Sequence, residues 1–240
     1  TVQIGRSTLP PGPGSGGSVT SPTTAPTMMA AAEAAKKKLL EHVARQANEK
    51  AEDLSVKDGQ VLRRGEKFLS WKDACSKLTA EGVTGSASTG EGGRGASQGV
   101  QFMKVVVDCE TGIVHPRHVI AIQSCGRVIC RKTAESQIIG GVIQGISYGM
   151  FENKILDRNT GAMVNPNLEW YKVLGPNDMP HIGPVLWWHG QTGVKALGEP
   201  PNIPTAGALA CAVYNAVGSP VRHLPLTPDK VLAALEGAAS

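Results

Sequence analysis

Aromatic residues make up only 4% of the 240 positions, so a base-stacking nucleic-acid surface has little to build on. The formal charge of +4 is confined to short clusters such as Lys36-Lys37-Lys38 and Arg63-Arg64. These read as solvated helix faces, and no nucleic acid is expected as a partner. The five cysteines are odd in number and scattered, and none forms a Cys-x-x-Cys pair, which argues against a disulfide framework and a zinc site. Cys125 and Cys130 have an iron–sulfur-like spacing without the further ligands it requires, and they read as core or loop cysteines. No apolar run approaches the roughly 20 residues of a membrane span. Residues 1–20 lack the charged-then-apolar order of a signal peptide. A cytoplasmic location is therefore expected, with export on a partner's signal, to the periplasm, as the alternative. An initiator methionine is also lacking. Thr1-Val2-Gln3-Ile4 alternates like the end of a strand, so a partner segment is expected.

What is present suffices for a folded core, since 41% of the residues are hydrophobic. A Gly/Pro/Ser loop, 10-PPGPGSGGSVTSP-22, leads into the alanine- and lysine-rich stretch 27–52, a strong helix former. Ser21 before Pro22 fits a helix cap followed by the first helical residue. Such a junction offers free backbone N–H groups and a positive dipole end, which suit a phosphate.

A short strand near Val61-Leu62-Arg63 and a helix near Trp71–Leu78 come next, then a linker at 82–99, read as a mobile surface loop. Gly90-x-Gly92-x-x-Gly95 matches a dinucleotide fingerprint in letters, but a strand follows it rather than a helix. Residues 101–123 read as two strands joined by the turn Asp108–Gly112. His115 and His118, three apart on a strand, are expected on opposite faces, which argues against a shared metal.

In 133–153, Ile138, Val142, Ile146 and Met150 recur at helical spacing. Gln137, Gly140, Gly141, Gln144 and Tyr148 form a second stripe. Two adjacent glycines there imply a close approach to the backbone, by another helix on general grounds, or by a ligand beside Gln144. Residues 154–188 read as short strands and loops. A small-residue helix follows from about Pro204 to Val217, stopped by Gly218, and Thr227-Pro228-Asp229 opens a last one. The fold class is α+β, with helices packed on mixed sheets.

Two candidates for chemistry emerge. Gly145-Ile146-Ser147-Tyr148-Gly149 spells a nucleophile-elbow motif, but it lies inside a helical period and not on a strand–turn–helix. Glu199 stands between Gly198 and Pro200-Pro201, a setting that aims its carboxylate in advance and suits a general base. A surface glutamate in a proline-rich turn is the plainer reading of that segment alone.

The segment does not stand alone. The order Gly193-Val-Lys-Ala-Leu-Gly-Glu199-Pro-Pro-x-Ile-Pro-Thr-Ala, then a small-residue helix and 224-LPLTPDKVLAAL-235, resembles the C-terminal end of the molybdenum-binding subunit of the xanthine dehydrogenase/aldehyde oxidase family. The Pro-Gly-Ser-Gly-Gly-Ser loop at 13–18, Val-Asp-x-x-Thr-Gly at 107–112, Cys-Gly-Arg at 125–127 and Glu-Ser-Gln-Ile-Ile-Gly-Gly-Val-Ile-Gln-Gly at 135–145 extend the resemblance over nearly the whole chain.

The resemblance implies the family's second molybdopterin-binding domain, with residues 1–240 as one C-terminal region. It implies that Glu199 is the base that deprotonates the water-derived oxygen as it attacks an electron-poor C–H carbon. Gln144 would lie beside the molybdenum, and Gly17, Ser18, Val19, Thr20 and Ser21 would hold the pterin. No side chain would ligate the metal, which the pterin dithiolene holds. The cofactor would be molybdenum-molybdopterin, with a cytosine dinucleotide form as an alternative. Electrons would pass to [2Fe-2S] clusters and FAD on partner chains or domains.

In the family this subunit is much longer, and a Gly-Gln-Gly cofactor loop and most of the substrate pocket precede this region. The N-terminal part of the molybdenum subunit, an iron–sulfur subunit and an FAD subunit are therefore the expected partners. An aldehyde is the expected substrate, a purine or other N-heterocycle the second choice. A non-catalytic assembly module is the competing class.

Overall fold

The computed structural model describes residues 3, 5–12, 14–79, 82–88, 97–188, 190 and 193–238. The strand expected at residues 1–4 and the glycine fingerprint at 90–95 fall outside these, apart from Gln3. The chain divides into two compact units, one of Thr1–Pro13 with Thr23–Gly92, the other of Gly14–Pro22 with Gly93–Ser240.

Helix α1 (Thr20–Ala47) begins in the larger unit and runs on as part of the smaller one. Ser21 is its second residue rather than its cap, so the helix starts earlier than the Ser-Pro pair suggests. It also stops earlier, because Asn48 turns to φ 53° and Glu49 N–H bonds back to the Ala44 carbonyl at 2.9 Å. Leu39, Val43 and Ala44 form its buried stripe.

That stripe packs with an antiparallel meander of β1 (Leu54–Lys57), β2 (Gln60–Arg63) and β3 (Glu66–Ser70) and with the short α2 (Trp71–Ser76). Both hairpins use two-residue turns with positive φ throughout, Asp58-Gly59 and Arg64-Gly65, the conformation whose twist matches paired strands. Residues 82–88 are not a free loop. A Cβ on Gly85 would strike the backbone of Ala31 and Ala35, and Lys38 Nζ donates to the Thr84 carbonyl at 2.7 Å.

The larger unit is built on a mixed sheet ordered β4-β5-β6. β4 (Gly99–Val107) and β5 (Val114–Gln123) are antiparallel, and β6 (His181–Leu186) lies parallel to β5 after a crossover that contains α3 (Arg131–Met150). Helices α4 (Thr205–Val217) and α5 (Pro228–Ala238) complete it. Gly218 ends α4 in the left-handed conformation, as its position suggests. Val119 and Ala121 of the sheet, Ile138, Val142 and Ile146 of α3, and Leu209 and Val213 of α4 make the core.

One expectation fails here. The pairing skips Arg117, a β-bulge, so the alternation slips by one residue. His115 and His118 both lie on the exposed face, and His118 meets His181 edge-on at 4.9 Å. No group of three potential metal-ligating side chains is found among the described residues.

Candidate functional site

The site forms where three segments of the larger unit meet: residues 15–21, the polar side of α3, and the turn that leads into α4. The glycines of α3 explain how they come so close. Gly141, Gly145 and Gly149 recur every four residues and receive the C-terminal segment. A Cβ on Gly141 would lie 2.9 Å from Pro201 Cβ and 3.0 Å from Asn202 N, one on Gly145 would collide with Thr205, and one on Gly149 would lie 3.0 Å from Leu209. The stripe anticipated from sequence therefore splits. Gly141 admits another part of the chain, whereas Gly140, between exposed Gln137 and Gln144, has no atom within 4 Å of where its Cβ would be.

The turn that carries Glu199 is clamped from three directions. Glu199 N–H donates to Ser18 Oγ at 2.8 Å. Pro200–Asn202 forms a single 3-10 turn, closed by Asn202 N–H to the Glu199 carbonyl at 2.9 Å. From below, Gln101 of β4 donates to the Pro201 carbonyl at 2.6 Å and accepts from the hydroxyl of fully buried Thr205 at 2.8 Å. Each such bond contributes roughly 1 kcal/mol net, and leaving a buried partner unpaired costs more. Glu199 itself stays exposed, and its Oε2 lies over Gly17, 3.8 Å from where a Cβ would stand. Gly198 is needed for this fit, since its Cβ would sit 2.7 Å from Ser18 Oγ and 2.8 Å from Gln137 Oε1.

Gly17 (φ 72°) and Ser18 (φ 58°) both adopt the left-handed conformation in the 3-10 turn Gly16–Ser18, which delivers the chain to the start of α1. Beside it lies a cavity of about 440 Å³ lined by Ser18, Thr20 and Ser21 on one side and by Cys130, Thr133 and Gln137 on the other. Arg127 and Lys195 also line it. The first turns of two long helices, α1 and α3, thus open on one space together with two cations, an arrangement that favours an anion. Cys130 is exposed at the N-cap of α3, and hydrogen bonds with Thr133 hold its thiol below the usual range, whereas burial pushes Cys125 up.

Of the residues singled out from sequence, Gly17, Ser18 and Glu199 come together directly. Thr20 and Ser21 line the cavity, and Val19 before them is half-buried. Gln144 joins Glu199 only through Asn202, whose Nδ2 donates to Gln144 Oε1 at 3.2 Å. Sequence reasoning passed over Asn202, Gln101, Arg127 and Lys195. Only Gln101 left a signal, a polar residue at an inward position of an otherwise apolar strand face. Ser147, of the elbow-like motif, is buried in α3, and its Oγ accepts from Leu174 N–H at 3.0 Å. It is a structural serine.

The geometry is that of an exposed carboxylate on a clamped turn, with an amide and an anion-favouring cavity nearby. Comparison with known proteins gives the chain a family. The family model for the molybdopterin cofactor-binding domain matches residues 2–180. The chain is 30% identical over 231 residues to the xanthine dehydrogenase molybdenum-binding subunit of Escherichia coli O157:H7, covering 91% of this chain and 31% of that one. It is 29% identical over 238 residues to the aldehyde oxidoreductase molybdenum-binding subunit PaoC of Escherichia coli K12, covering 96% and 32%.

Among solved structures, quinoline 2-oxidoreductase from Pseudomonas putida 86 shares the fold with a TM-score of 0.76 over 92% of this chain and 30% of that one, at 19% identity. The fold is thus that of a molybdopterin-binding domain. The chain belongs to the molybdopterin cofactor-binding domain family. It spans about a third of the length of these relatives.

Proposed function

We propose that residues 1–240 are a C-terminal molybdopterin-binding region of a molybdenum hydroxylase, with Glu199 as its general base. The observation that carries this reading is the clamped turn. The turn that bears the exposed Glu199 carboxylate is held by Ser18, Gln101 and the glycine face of α3, directly beside the Gly17–Ser21 loop.

The residues present fit the cofactor. Bare backbone at Gly17 and Gly140 leaves room for a planar group next to Gln144, and the cavity with Arg127, Lys195 and two helix starts suits its phosphate end. Bound there, the molybdenum cofactor would supply a two-electron oxidation that no side chain can perform. The protein's own part is to hold and move a proton. Glu199 would take it from the water-derived oxygen as that oxygen bonds to the substrate carbon, whose C–H bond breaks and gives up its two electrons to the oxidation that the cofactor would supply. General-base catalysis of this kind contributes about 10²- to 10⁴-fold. Gln144 offers its amide to the bound group, and Ser18, Thr20 and Ser21 offer hydroxyls and backbone N–H groups.

The relatives' length motivates the rest. The other part of the molybdenum subunit would complete the cradle and set substrate choice, and [2Fe-2S] and FAD partners would accept the electrons. An aldehyde is the first substrate choice and a purine or other N-heterocycle the second, in line with the names of the two relatives. A cytosine dinucleotide form of the cofactor is the alternative. No described helix is long and apolar enough to cross a membrane. We place the assembly in the cytoplasm, with export to the periplasm on a partner's signal as the alternative.

The test is Glu199→Ala in the assembled enzyme. Turnover is expected to fall by about 10²- to 10⁴-fold with molybdenum content unchanged, and undiminished turnover removes Glu199 from the mechanism. A metal-free wild-type assembly would instead favour the non-catalytic module.

A further inference from the structure

Asn202 connects the two polar groups of the site. Its backbone N–H bonds to the Glu199 carbonyl at 2.9 Å, and its side-chain Nδ2 donates to Gln144 Oε1 at 3.2 Å. Its own carbonyl accepts from the Tyr148 hydroxyl at 3.0 Å. Gln144 and Tyr148 are four residues apart on α3 and so share one face of it. Burial raises the Tyr148 pKa, which keeps the hydroxyl a donor. One turn back, Gly141 lets the Asn202 backbone approach the helix.

A glutamine amide has two chemically opposite ends. With Asn202 bonded to Oε1, the two hydrogens on Nε2 are left for whatever binds on the exposed side of α3. Among the described residues Nε2 has no hydrogen-bond partner.

Asn202 also carries a mark of function rather than of stability. Its Oδ1 is buried and, among the described residues, lacks a hydrogen-bond partner. An unpaired buried acceptor is a cost that an apolar side chain of the same shape would avoid.

We propose that Asn202 is a positioning residue that orients the Gln144 amide with its N–H end toward the bound cofactor and ties that amide to the backbone of Glu199. The inference rests on the cofactor reading given above.

In the assembled enzyme, Asn202→Leu removes the donor and the orphaned acceptor together at nearly constant volume. The expected result is an unchanged or higher thermal midpoint and an altered paramagnetic resonance spectrum of the molybdenum centre. We also expect kcat to be lowered by about 10- to 100-fold, the range for losing a group that orients a metal-site residue, with KM unchanged. Asn202→Asp presents only acceptors, so Gln144 must turn its hydrogens toward the protein. It should show the spectral change with the larger loss of kcat, and it reads the same quantity should the leucine variant fail to assemble. A lowered midpoint in Asn202→Leu with a wild-type spectrum and kcat would make Asn202 a structural residue and overturn the proposal. Molybdenum-replete wild type with both variants indistinguishable from it overturns this inference alone. Wild type without molybdenum overturns the cofactor reading and this inference with it.

Discussion

The turn at Asp108–Gly112 and the turn at Gly198–Thr205 solve the same geometric problem with different resources. In the first, the hydrogen bonds are local, although Gly112 also packs against Pro228 and Leu232 of α5. Asp108 Oδ1 accepts from the N–H groups of Glu110 and Thr111 at 2.9 and 3.2 Å, and Gly112 takes φ 73°. In the second, the partners come from elsewhere: Ser18, Gln101 and Asn202's neighbours on α3. A turn that supplies its own hydrogen bonds depends on distant residues only for packing. The site turn needs the whole larger unit in place, so its geometry is as rigid as the core beneath it and responds to substitutions far away in sequence.

Substitutions can break this contrast. Gly145→Ala should have the largest effect on stability. Its Cβ would enter the space of buried Thr205, and overpacking of this kind costs about 3 kcal/mol. That exceeds the roughly 1 kcal/mol by which alanine favours a helix. Denaturant unfolding of the assembled protein would measure it. Gly140→Ala, on the open side, should instead stabilise by roughly 0.5–1 kcal/mol, and a matching loss of cofactor retention would show that the bare patch is there for the ligand.

Ser18→Ala, a change 181 residues from Glu199, should cost about 0.5–1 kcal/mol. It should also lower turnover without touching the carboxylate, which separates a remote clamp from a local turn.

Asp108→Asn should have the smallest effect, one that is present at neutral pH and fades in acid. Backbone hydrogen bonds from Glu110 and Thr111, then the Thr111 side chain, hold the Asp108 carboxyl below its ordinary value. A carboxyl depressed in the folded state contributes stability above its unfolded pKa and loses it as pH falls through the lower, folded value. The wild type should therefore lose stability below about pH 4 more steeply than the asparagine variant. Equal slopes would show that the turn makes no titratable contribution.

The same contrast explains how much could be read from the chain. The Asp108–Gly112 hairpin, the apolar stripe Ile138–Val142–Ile146, the stop at Gly218 and the start of α5 were all legible, because each depends on residues within a few positions of one another. The meander in the smaller unit was largely missed although Asp58-Gly59 announced its first turn. His115 and His118 were assigned to opposite faces because a bulge at Arg117 cannot be seen in a period of two. For the site, Glu199, Ser18 and Gln144 were found by the company they keep in sequence. Asn202 and Gln101 were not, since an asparagine after two prolines and a glutamine on a strand mean nothing until they meet.

The sequence by itself determined which residues could bear the chemistry: one carboxylate stiffened by proline, a hydroxyl-rich glycine loop, and a helix with bare positions. These are properties of covalent geometry and local propensity, and they hold before any packing occurs. Tertiary structure alone decided that Ser18 receives the Glu199 N–H, that Gly141 and Gly140 part company, and that Gln144 presents one end of its amide. Each of those facts depends on atoms brought to within about 3 Å by burial of a common core, and no local rule specifies such a distance.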